Sequence, residues 1–311
     1  MRLIENLDEI TKPFKNGVIT IGNFDGVHIG HQALFREVMT RAREIGGTSM
    51  AMTFEPHPLR FLKTRTPPPL ITLSDQKLEL LENLGLDILI RVPFTSRFAS
   101  ITAKQFVEEI LAARLGVRIM VVGPDYSFGR NREGNVLRLQ ELSRPLGVSV
   151  IVAPWVIAVG PEGSRASSTR IRELIQEGRV EEAGLLLGRP FQIRGLVERG
   201  LDRGGKLLGF PTANVGLTGD LVPQAGVYVV AVTWRGKRLL GVANIGFSPT
   251  FTEHRFTLEV HILDFSQDLY GEKIEVNFLR RLRGEIKFPN VDALVAQIKK
   301  DVEEARNTPI S

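Results

Sequence analysis

Two histidines three residues apart, His28 and His31, stand directly after a turn that contains Gly22 and Gly26. The run before the turn, Val18–Ile21, is apolar and rich in β-branched residues, which is typical of a buried strand. Apolar residues at helical spacing follow the pair, at Leu34, Phe35, Val38 and Met39. We therefore expect both histidines on the first turn of a helix, where unpaired N–H groups and the helix dipole favour an anion. The pattern predicts a polyphosphate site, and the alternative is an ordinary α/β turn with incidental histidines.

Two later segments carry polar groups that could complete such a site. Gly123–Gly129 follows a strand-like run and should lie at the carboxyl edge of a parallel sheet, where ligands bind in open α/β folds. Ser167–Arg172 offers three hydroxyls and two guanidinium groups at a predicted helix start, which suits phosphate oxygens. An ordinary N-cap with surface arginines is the alternative for that segment. His57 lies between Pro56 and Pro58, and we interpret it as a loop-shaping residue rather than a base.

A single carboxylate, Glu259, interrupts an otherwise apolar strand-like run in the second half of the chain. Burying a carboxylate costs desolvation free energy unless the group has a partner or a chemical task. Because the run alternates, a solvent-facing strand residue is an equally good interpretation of the letters alone.

The composition limits the classes of function. The chain has 311 residues, 43% of them hydrophobic, so two domains with real cores are expected. It contains no cysteine, which excludes disulfides, zinc–thiolate sites and cysteine nucleophiles. The net charge of +5 is spread over both halves without a run of five basic residues, so we expect anionic small molecules and no nucleic acid as partners. An acidic start and the lack of a long apolar run predict a cytoplasmic protein with no membrane partner.

The order of elements predicts two different folds. Strand-like and helix-like runs alternate from Val18 to about Val152, which favours a Rossmann-like parallel sheet with helices on both faces. Gly188–Pro190 is interpreted as a boundary, giving domains of residues 1–186 and 187–311. Beyond it, strand-like runs follow one another without helices until a final amphipathic helix. This second part is expected to be an antiparallel β-barrel or sandwich with a C-terminal helix.

On these motifs the chain resembles the bacterial bifunctional riboflavin kinase/FAD synthetase family. The first half is similar to that family's nucleotidylyltransferase domain at Gly22–His31, Phe54–Pro58, Gly123–Gly129 and Ser167–Arg172. The second half is similar to its riboflavin kinase module from about Phe191 to Ala305. The resemblance implies phosphorylation of riboflavin by ATP to FMN, and then adenylyl transfer from ATP to FMN, giving FAD and pyrophosphate.

For the adenylyltransferase, the resemblance implies that the first motif and the hydroxyl-rich segment bind ATP. His28 and His31 would contact the triphosphate as catalytic residues, and no covalent intermediate would be needed. Asp125 would contact the flavin substrate or hold Mg²⁺. The ATP-binding residues that the resemblance implies are Gly22, Asn23, Phe24, Gly26, His28, His31, Ser168, Thr169 and Arg170.

For the kinase, the resemblance implies a Mg-ATP signature within Gly204–Asn214, in which Thr212 and Asn214 offer neutral oxygens to Mg²⁺. The implied ATP-binding residues are Gly205, Lys206, Gly209, Pro211, Thr212 and Asn214. Glu259 would be the general base that takes the proton from the riboflavin 5′-hydroxyl. Arg283 and Glu285 would lie near the flavin.

The sequence departs from the family pattern in the loops of its second half. Lys206 stands where an arginine is common, and Arg199–Arg203 lacks the usual histidine. His254 and Arg255 replace a glycine-rich link. These changes affect the expected loop contacts to ADP and flavin, and leave the expected Mg²⁺ and base residues intact.

Two alternative functions remain compatible with the sequence. His28–His31 reads His-Ile-Gly-His, which is also an aminoacyl-tRNA synthetase signature, although no Lys-Met-Ser-Lys-Ser-like segment accompanies it. The other alternative is a monofunctional nucleotidylyltransferase whose barrel is only a binding module.

Overall fold

The chain forms two compact units in a computed structural model that describes residues 1–62, 67–158, 163, 165–199, 209–217, 219, 221–247 and 256–309. The first unit consists of Met1–Pro68, Thr72–Ala158 and Gly163–Ala166. The second consists of Pro69–Ile71, Val159–Glu162 and Ser167–Ser311. The predictions for Gly205, Lys206, His254 and Arg255 lie outside the described residues.

The first unit is a parallel sheet covered by helices, which confirms the predicted Rossmann-like fold. Its strands are β1 (Arg2–Ile4), β2 (Gly17–Ile21), β3 (Ser49–Glu55), β4 (Ile88–Pro93), β5 (Val117–Val122), β6 (Ser127–Phe128), β7 (Gly134–Asn135) and β8 (Ser149–Val152). Its helices are α1 (Ile29–Glu44), α2 (Pro58–Leu62), α3 (Ser74–Asn83), α4 (Ser96–Ala99), α5 (Ala103–Gln105) and α6 (Val136–Ser143). A π-helical segment, Phe106–Arg114, continues α5, and β6 and β7 form a separate two-stranded hairpin.

The sheet order is β1-β4-β3-β2-β5-β8, and all its pairs are parallel. The chain proceeds from β2 towards β3 on one side and later returns to β5 on the other side. The order therefore reverses between β2 and β5, and ligands of open α/β sheets bind at such a switch point. Every residue of β2 is buried, with Val18 in one apolar cluster and Ile19 in the other, because successive strand residues point to opposite faces.

The second unit is a closed antiparallel barrel, which confirms the predicted barrel, and its described residues also form three helices. Its helices are α7 (Ser168–Gln176), α8 (Val180–Leu187) and α9 (Val291–Arg306). Its strands are β9 (Phe191–Glu198), β10 (Ala213–Val215), β11 (Gly226–Trp234), β12 (Lys237–Phe247), β13 (Phe256–Ile262) and β14 (Lys273–Arg283). The strand order around the barrel is β10-β13-β12-β11-β14-β9.

Helices α7 and α8 belong to the second compact unit, whereas the predicted domains assign them to the first half. The backbone N–H of Gln224 donates to the Ile175 carbonyl at 3.3 Å, and the N–H of Arg281 donates to Glu181 Oε1 at 3.2 Å. These two bonds attach α7 and α8 to the barrel unit. The boundary between residues 186 and 187 remains a prediction about the catalytic domains.

Local signals explain most element boundaries. Thr102 caps α5 as its capping box predicts, because Thr102 Oγ1 accepts from the Gln105 N–H and Gln105 Oε1 accepts from the Thr102 N–H, both at 3.2 Å. Short strands such as β1 and β10 were not predicted, because a run of three residues is too short to show the alternation of a strand.

Candidate functional sites

The turn after β2 is conformationally unusual. Phe24, Gly26 and Val27 all have positive φ angles, of 49°, 85° and 41°. A positive φ suits glycine but costs on the order of 1–3 kcal/mol for a residue such as Val27. Backbone strain of this kind concentrates at functional sites, so the turn is a candidate ligand site on structural grounds as well.

His28 is the N-cap of α1 and does not lie within its first turn, which corrects the predicted position. Its Nδ1 accepts a hydrogen bond from the His31 backbone N–H at 3.3 Å. The two imidazole rings are stacked with centroids 3.6 Å apart, and the His31 ring meets the edge of Phe24 at 5.3 Å. The pair is therefore held as one unit at the amino end of the helix, where anions are favoured.

Gly30 makes this stacking possible. A Cβ atom at position 30 would lie 3.1 Å from both Cε1 and Nδ1 of His28, closer than an ordinary van der Waals contact. A side chain there would push the His28 ring away from the cap.

The side chain of Asp25 helps to hold the turn in place. The carboxylate is buried, and its Oδ1 accepts from the backbone N–H of Thr72 at 3.2 Å and from its hydroxyl at 3.4 Å. The Thr72 hydroxyl in turn accepts from the Gly26 N–H at 3.1 Å. The strained backbone is thus fixed by polar contacts from a segment 46 residues away in sequence.

Lys77 is a cation of this site that sequence reasoning missed. Its ammonium donates to the Asn23 carbonyl at 3.2 Å, and burial lowers its pKa although Asp25 and Glu55 act against this. Burial, with the nearby His28 and Lys77 charges, holds the pKa of His31 well below its ordinary value of 6.5. The buried His31 Nδ1 has no hydrogen-bond partner among the described residues. No periodicity or motif distinguishes Lys77 in the sequence from the other lysines on amphipathic helices.

The segment Gly123–Gly129 leaves the same sheet edge as the histidine turn, because β5 and β2 are hydrogen-bonded neighbours. Asp125 is exposed and its Oδ2 lies 2.8 Å from Arg165 Nη2. The Arg165 guanidinium stacks over the Trp155 ring at 3.0 Å. Asp125 is therefore placed at the expected edge, with its carboxylate engaged by an arginine of the same unit.

The hydroxyl-rich segment begins a helix of the second unit. Ser167 caps α7, since its Oγ accepts from the Arg170 N–H at 3.2 Å. The Arg170 guanidinium lies 3.3 Å from Glu173 Oε2. Ser168 and Thr169 occupy the first turn of that helix. The role of Ser168, Thr169 and Arg170 in ATP binding remains a prediction.

His57 has a local structural task. Its Nδ1 accepts from the Leu59 N–H at 3.2 Å, and its carbonyl accepts from the Arg60 N–H at 2.8 Å. These bonds turn the chain into α2, in keeping with the interpretation of His57 as a loop-shaping residue.

In the second unit, Glu259 lies at the centre of a polar row across three strands. On β13 it is directly opposite Asn214 of β10 on one side and Asn244 of β12 on the other. Directly opposite residues share one face of a sheet, so the three side chains are neighbours. The residues before and after Glu259, Leu258 and Val260, are buried on the alternate face.

The surroundings of Glu259 are partly desolvated, and this burial raises its pKa. Two residues further along β13, the ring of His261 bonds through Nδ1 to the Pro211 carbonyl at 2.8 Å and contacts the edge of Phe210 at 5.4 Å. The Phe-Pro-Thr-Ala-Asn segment is therefore attached to the strand that carries Glu259. Gly209 adopts a φ of 76° just before this segment.

Arg283 and Glu285 lie at and beyond the end of β14. The Arg283 guanidinium pairs with Asp301 of α9, with 2.7 Å between Nη2 and Oδ2, and donates to the Gly284 carbonyl at 3.1 Å. Glu285 Oε1 would lie 3.3 Å from a Cβ built on Gly246. Arg283 is thus engaged within the protein, and a direct flavin contact remains a prediction. Asp301 was missed by sequence reasoning, because a helical aspartate near charged neighbours reads as a surface residue.

The described residues lack two kinds of structural feature. No group of three or more histidine or acidic side chains there has the geometry to hold a metal ion. No helix in the same part of the chain is long and apolar enough to cross a membrane.

Comparisons with known proteins match both units to flavin enzymes. Residues 10–170 match the family described as FAD synthetase, and residues 187–308 match the family described as riboflavin kinase. A bifunctional riboflavin kinase/FMN adenylyltransferase of Escherichia coli K12 is 41% identical over 98% of this chain and 97% of its own length. The protein of the same description from Bacillus subtilis 168 is 38% identical, over 93% and 91%.

Among solved structures, a protein titled macrolide-efflux protein from Streptococcus pneumoniae superposes with a TM-score of 0.88. It is 37% identical and the match covers 99% of both chains. The efflux description belongs to that protein, and neither family match of this chain carries it.

The matches decide between the alternatives left by the sequence. Both halves match enzymes of flavin synthesis, which excludes the aminoacyl-tRNA synthetase interpretation, and a riboflavin kinase match excludes a barrel that only binds. The chain belongs to the bifunctional riboflavin kinase/FAD synthetase family, whose members phosphorylate riboflavin to FMN with ATP and adenylylate FMN to FAD.

Proposed function

We propose that adenylyl transfer takes place beside the stacked pair of His28 and His31. The observation that carries this proposal is the pair's position at the amino end of α1, at the switch point of the sheet. In the reaction, a phosphate oxygen of FMN forms a bond to the α-phosphorus of ATP. The bond from that phosphorus to the β-phosphate oxygen breaks, and pyrophosphate leaves.

The first unit would act by positioning and by electrostatic stabilisation. The FMN phosphate is already anionic, so its attack needs no general base. The N–H groups at the start of α1 and the two imidazoles would bind triphosphate oxygens and stabilise the charge that moves onto pyrophosphate. Lys77 lies close enough to His31 for its charge to lower the pKa of that imidazole. Gly22, Asn23, Phe24 and Gly26 would form the turn around the nucleotide.

The other proposed residues of this site are supported by their positions and by the family resemblance. Asp125 as a flavin contact is supported by its place on the same sheet edge as the histidine turn. Ser168, Thr169 and Arg170 as ligands of the leaving pyrophosphate are supported by the family resemblance and by their position at the start of α7.

Glu259 is the proposed general base of the kinase. The riboflavin 5′-hydroxyl oxygen forms a bond to the γ-phosphorus of ATP, the bond to the bridging β–γ oxygen breaks, and ADP leaves. Glu259 would take the hydroxyl proton. Its raised pKa favours this role, because a base works best when its pKa approaches the operating pH. Asn214 and Asn244 flank it as neutral hydrogen-bonding groups.

The residues on β10 and directly before it include oxygen donors that suit Mg²⁺. Thr212 and Asn214 offer neutral oxygens, the class of ligand that Mg²⁺ prefers, and Mg²⁺ usually completes its coordination with phosphates and water. When bound, Mg²⁺ neutralises phosphate charge. Pro211 and Gly209 would approach ATP through their backbone atoms. The assignment of Gly205 and Lys206 to ATP binding is supported by the family resemblance. The same resemblance supports Arg283 and Glu285 as flavin contacts.

The proposal is tested by incubating the chain with ATP, Mg²⁺ and either riboflavin or FMN, with the products separated by chromatography. Riboflavin should give FMN and then FAD, and supplied FMN should give FAD. If supplied FMN gave no FAD, the proposed adenylyltransferase site would be contradicted. If riboflavin gave no FMN, the proposed kinase site would be contradicted.

We also propose that the catalytic domains span residues 1–186 and 187–311. We further propose a cytoplasmic location, with which the absence of cysteine is compatible.

A further inference from the structure

A buried ion pair joins the C-terminal helix to the end of β14. Arg283 Nη2 lies 2.7 Å from Asp301 Oδ2, and Arg283 Nε lies 3.1 Å from both carboxylate oxygens. The Arg283 and Asp301 side chains are only 17% and 5% exposed. Gln297, one helical turn earlier, donates its amide to Asp301 Oδ1 at 2.9 Å. The Asp301 carboxylate is therefore fixed by an arginine and an amide together.

The same guanidinium holds the segment that follows β14. Arg283 Nη1 donates to the Gly284 carbonyl at 3.1 Å. Its guanidinium carbon lies 5.7 Å from the centre of the Phe288 ring, within the range of a cation–π contact. Arg283 thus contacts both ends of the stretch Gly284–Phe288, and Asp301 fixes Arg283.

This stretch reaches the polar row of the kinase site. Asn244 Nδ2 and Glu285 Oε1 would lie 3.4 Å and 3.3 Å from a Cβ built on Gly246, so both approach the same point of β12. Asn244 is the residue directly opposite Glu259. In the strand register, Asn244 is opposite Val227 and Val227 is opposite Arg283. Arg283 is therefore three strands from the proposed base around the barrel.

We propose that Asp301 is a positioning residue of the riboflavin kinase site. Through Arg283 it holds Gly284–Phe288 beside the row that contains Glu259, on the side where the flavin would bind. The inference rests on the proposed kinase site. A buried ion pair is poor evidence for stability, because apolar residues of similar volume often serve the fold as well. Orientation of the segment is a task that apolar residues would not perform.

The first test is Asp301→Asn in the full chain, which removes the charge and keeps the shape. We expect the KM for riboflavin to rise at least about tenfold, because a misplaced binding segment weakens the productive complex. The KM for FMN in the adenylyl transfer should not change. Partial unfolding lowers the apparent kcat and leaves KM unaltered, so this comparison separates positioning from loss of folded protein.

A second variant keeps the test independent of stability. Arg283→Met together with Asp301→Leu replaces the pair by apolar side chains and leaves no buried charge unpaired. We expect a thermal midpoint near that of the parent, with the KM for riboflavin still raised at least about tenfold. A parental KM in this double variant would show that the pair serves only the fold, and would overturn the inference.

The matched control is an exposed ion pair of the same helix. Arg306 binds Asp264 through two bonds of 2.8 and 2.7 Å, but both side chains are exposed. Asp264→Asn should leave both KM values within about twofold of the parent, since exposed pairs contribute little. If Asp301→Asn behaves like this control while Glu259→Gln is inactive as a kinase, the site stands and the inference about Asp301 fails. If Glu259→Gln is active, the proposed kinase site itself fails.

Discussion

Glu259 on β13 lies directly opposite Asn214 on β10, so the proposed general base and a proposed Mg²⁺ ligand share one row of the barrel. Neighbouring strands are about 4.8 Å apart, which places both side chains within reach of one phosphoryl group. Alternation along β13 puts Leu258 and Val260 into the core and leaves Glu259 on the polar face. The carboxylate is thus held by a strand that is itself fixed by packing.

Glu259→Gln should abolish most riboflavin phosphorylation. The amide keeps the shape and the hydrogen bonds of the carboxylate but takes up no proton, and a positioned base contributes about 10²–10⁴-fold. Chromatography of products from riboflavin and ATP measures the loss. Adenylylation of supplied FMN in the same sample is the internal control and should be unchanged. A riboflavin rate within a few-fold of the parent would mean that the base lies elsewhere.

The raised pKa of Glu259 predicts a pH dependence for both activity and stability. The kinase needs the carboxylate ionised, so its rate should fall as pH drops through a value above the ordinary 4.5. Above that raised pKa, the ionised group is less favourable in the folded than in the unfolded chain. Glu259→Gln should therefore raise the thermal midpoint of the barrel at pH 8, and the gain should vanish as pH falls to about 4.5. A gain that grows towards acid pH would contradict the assigned direction.

Gly30→Ala should impair adenylyl transfer without unfolding the protein. Alanine favours a helix by about 1 kcal/mol over glycine, but its Cβ would meet the His28 ring at 3.1 Å. We expect the FAD synthetase rate to fall at least about tenfold and the kinase rate to stay the same. The matched control is Gly184→Ala in α8, where the nearest atom is at an ordinary 3.5 Å and both rates should persist. Equal effects of the two substitutions would show that the His28 contact is unimportant.

Helices α7 and α8 should stabilise the isolated barrel. They bury several apolar side chains within the second unit, at Ile171, Leu174, Ile175, Val180, Ala183, Leu186 and Leu187. Each larger one contributes about 1.5–3 kcal/mol when buried. A fragment of residues 167–311 should therefore melt at least about 10 °C above a fragment of residues 187–311. Equal midpoints, measured by circular dichroism, would mean that these helices do not support the barrel.

Periodicity and glycine turns made the larger part of the fold predictable. The β2 turn and the start of α1 could be placed because strand, glycine and helix signals follow each other without a gap. The role of His28 as the N-cap could not be predicted, because histidine is not a usual N-cap residue. The cap depends on the hydrogen bond from the His31 N–H, which is seen only in the folded structure.

Long-range contacts limited the prediction of the sites. The sequence alone did not show whether Glu259 faces solvent or a polar site, because its surroundings depend on which strands pair with β13. Lys77 and Asp301 take their importance from partners 54 and 18 residues away in sequence, Asn23 and Arg283. No local pattern records such pairings.

The most direct test of two separate sites is FAD formation by a mixture of two variants. His28→Ala should make FMN from riboflavin but lose about 10²–10³-fold in adenylyl transfer, and Glu259→Gln should do the reverse. With riboflavin, ATP and Mg²⁺, neither variant alone should accumulate FAD, and the mixture should, because FMN released by one is adenylylated by the other. A mixture that forms no FAD, or either variant alone forming it at the parental rate, would contradict the account.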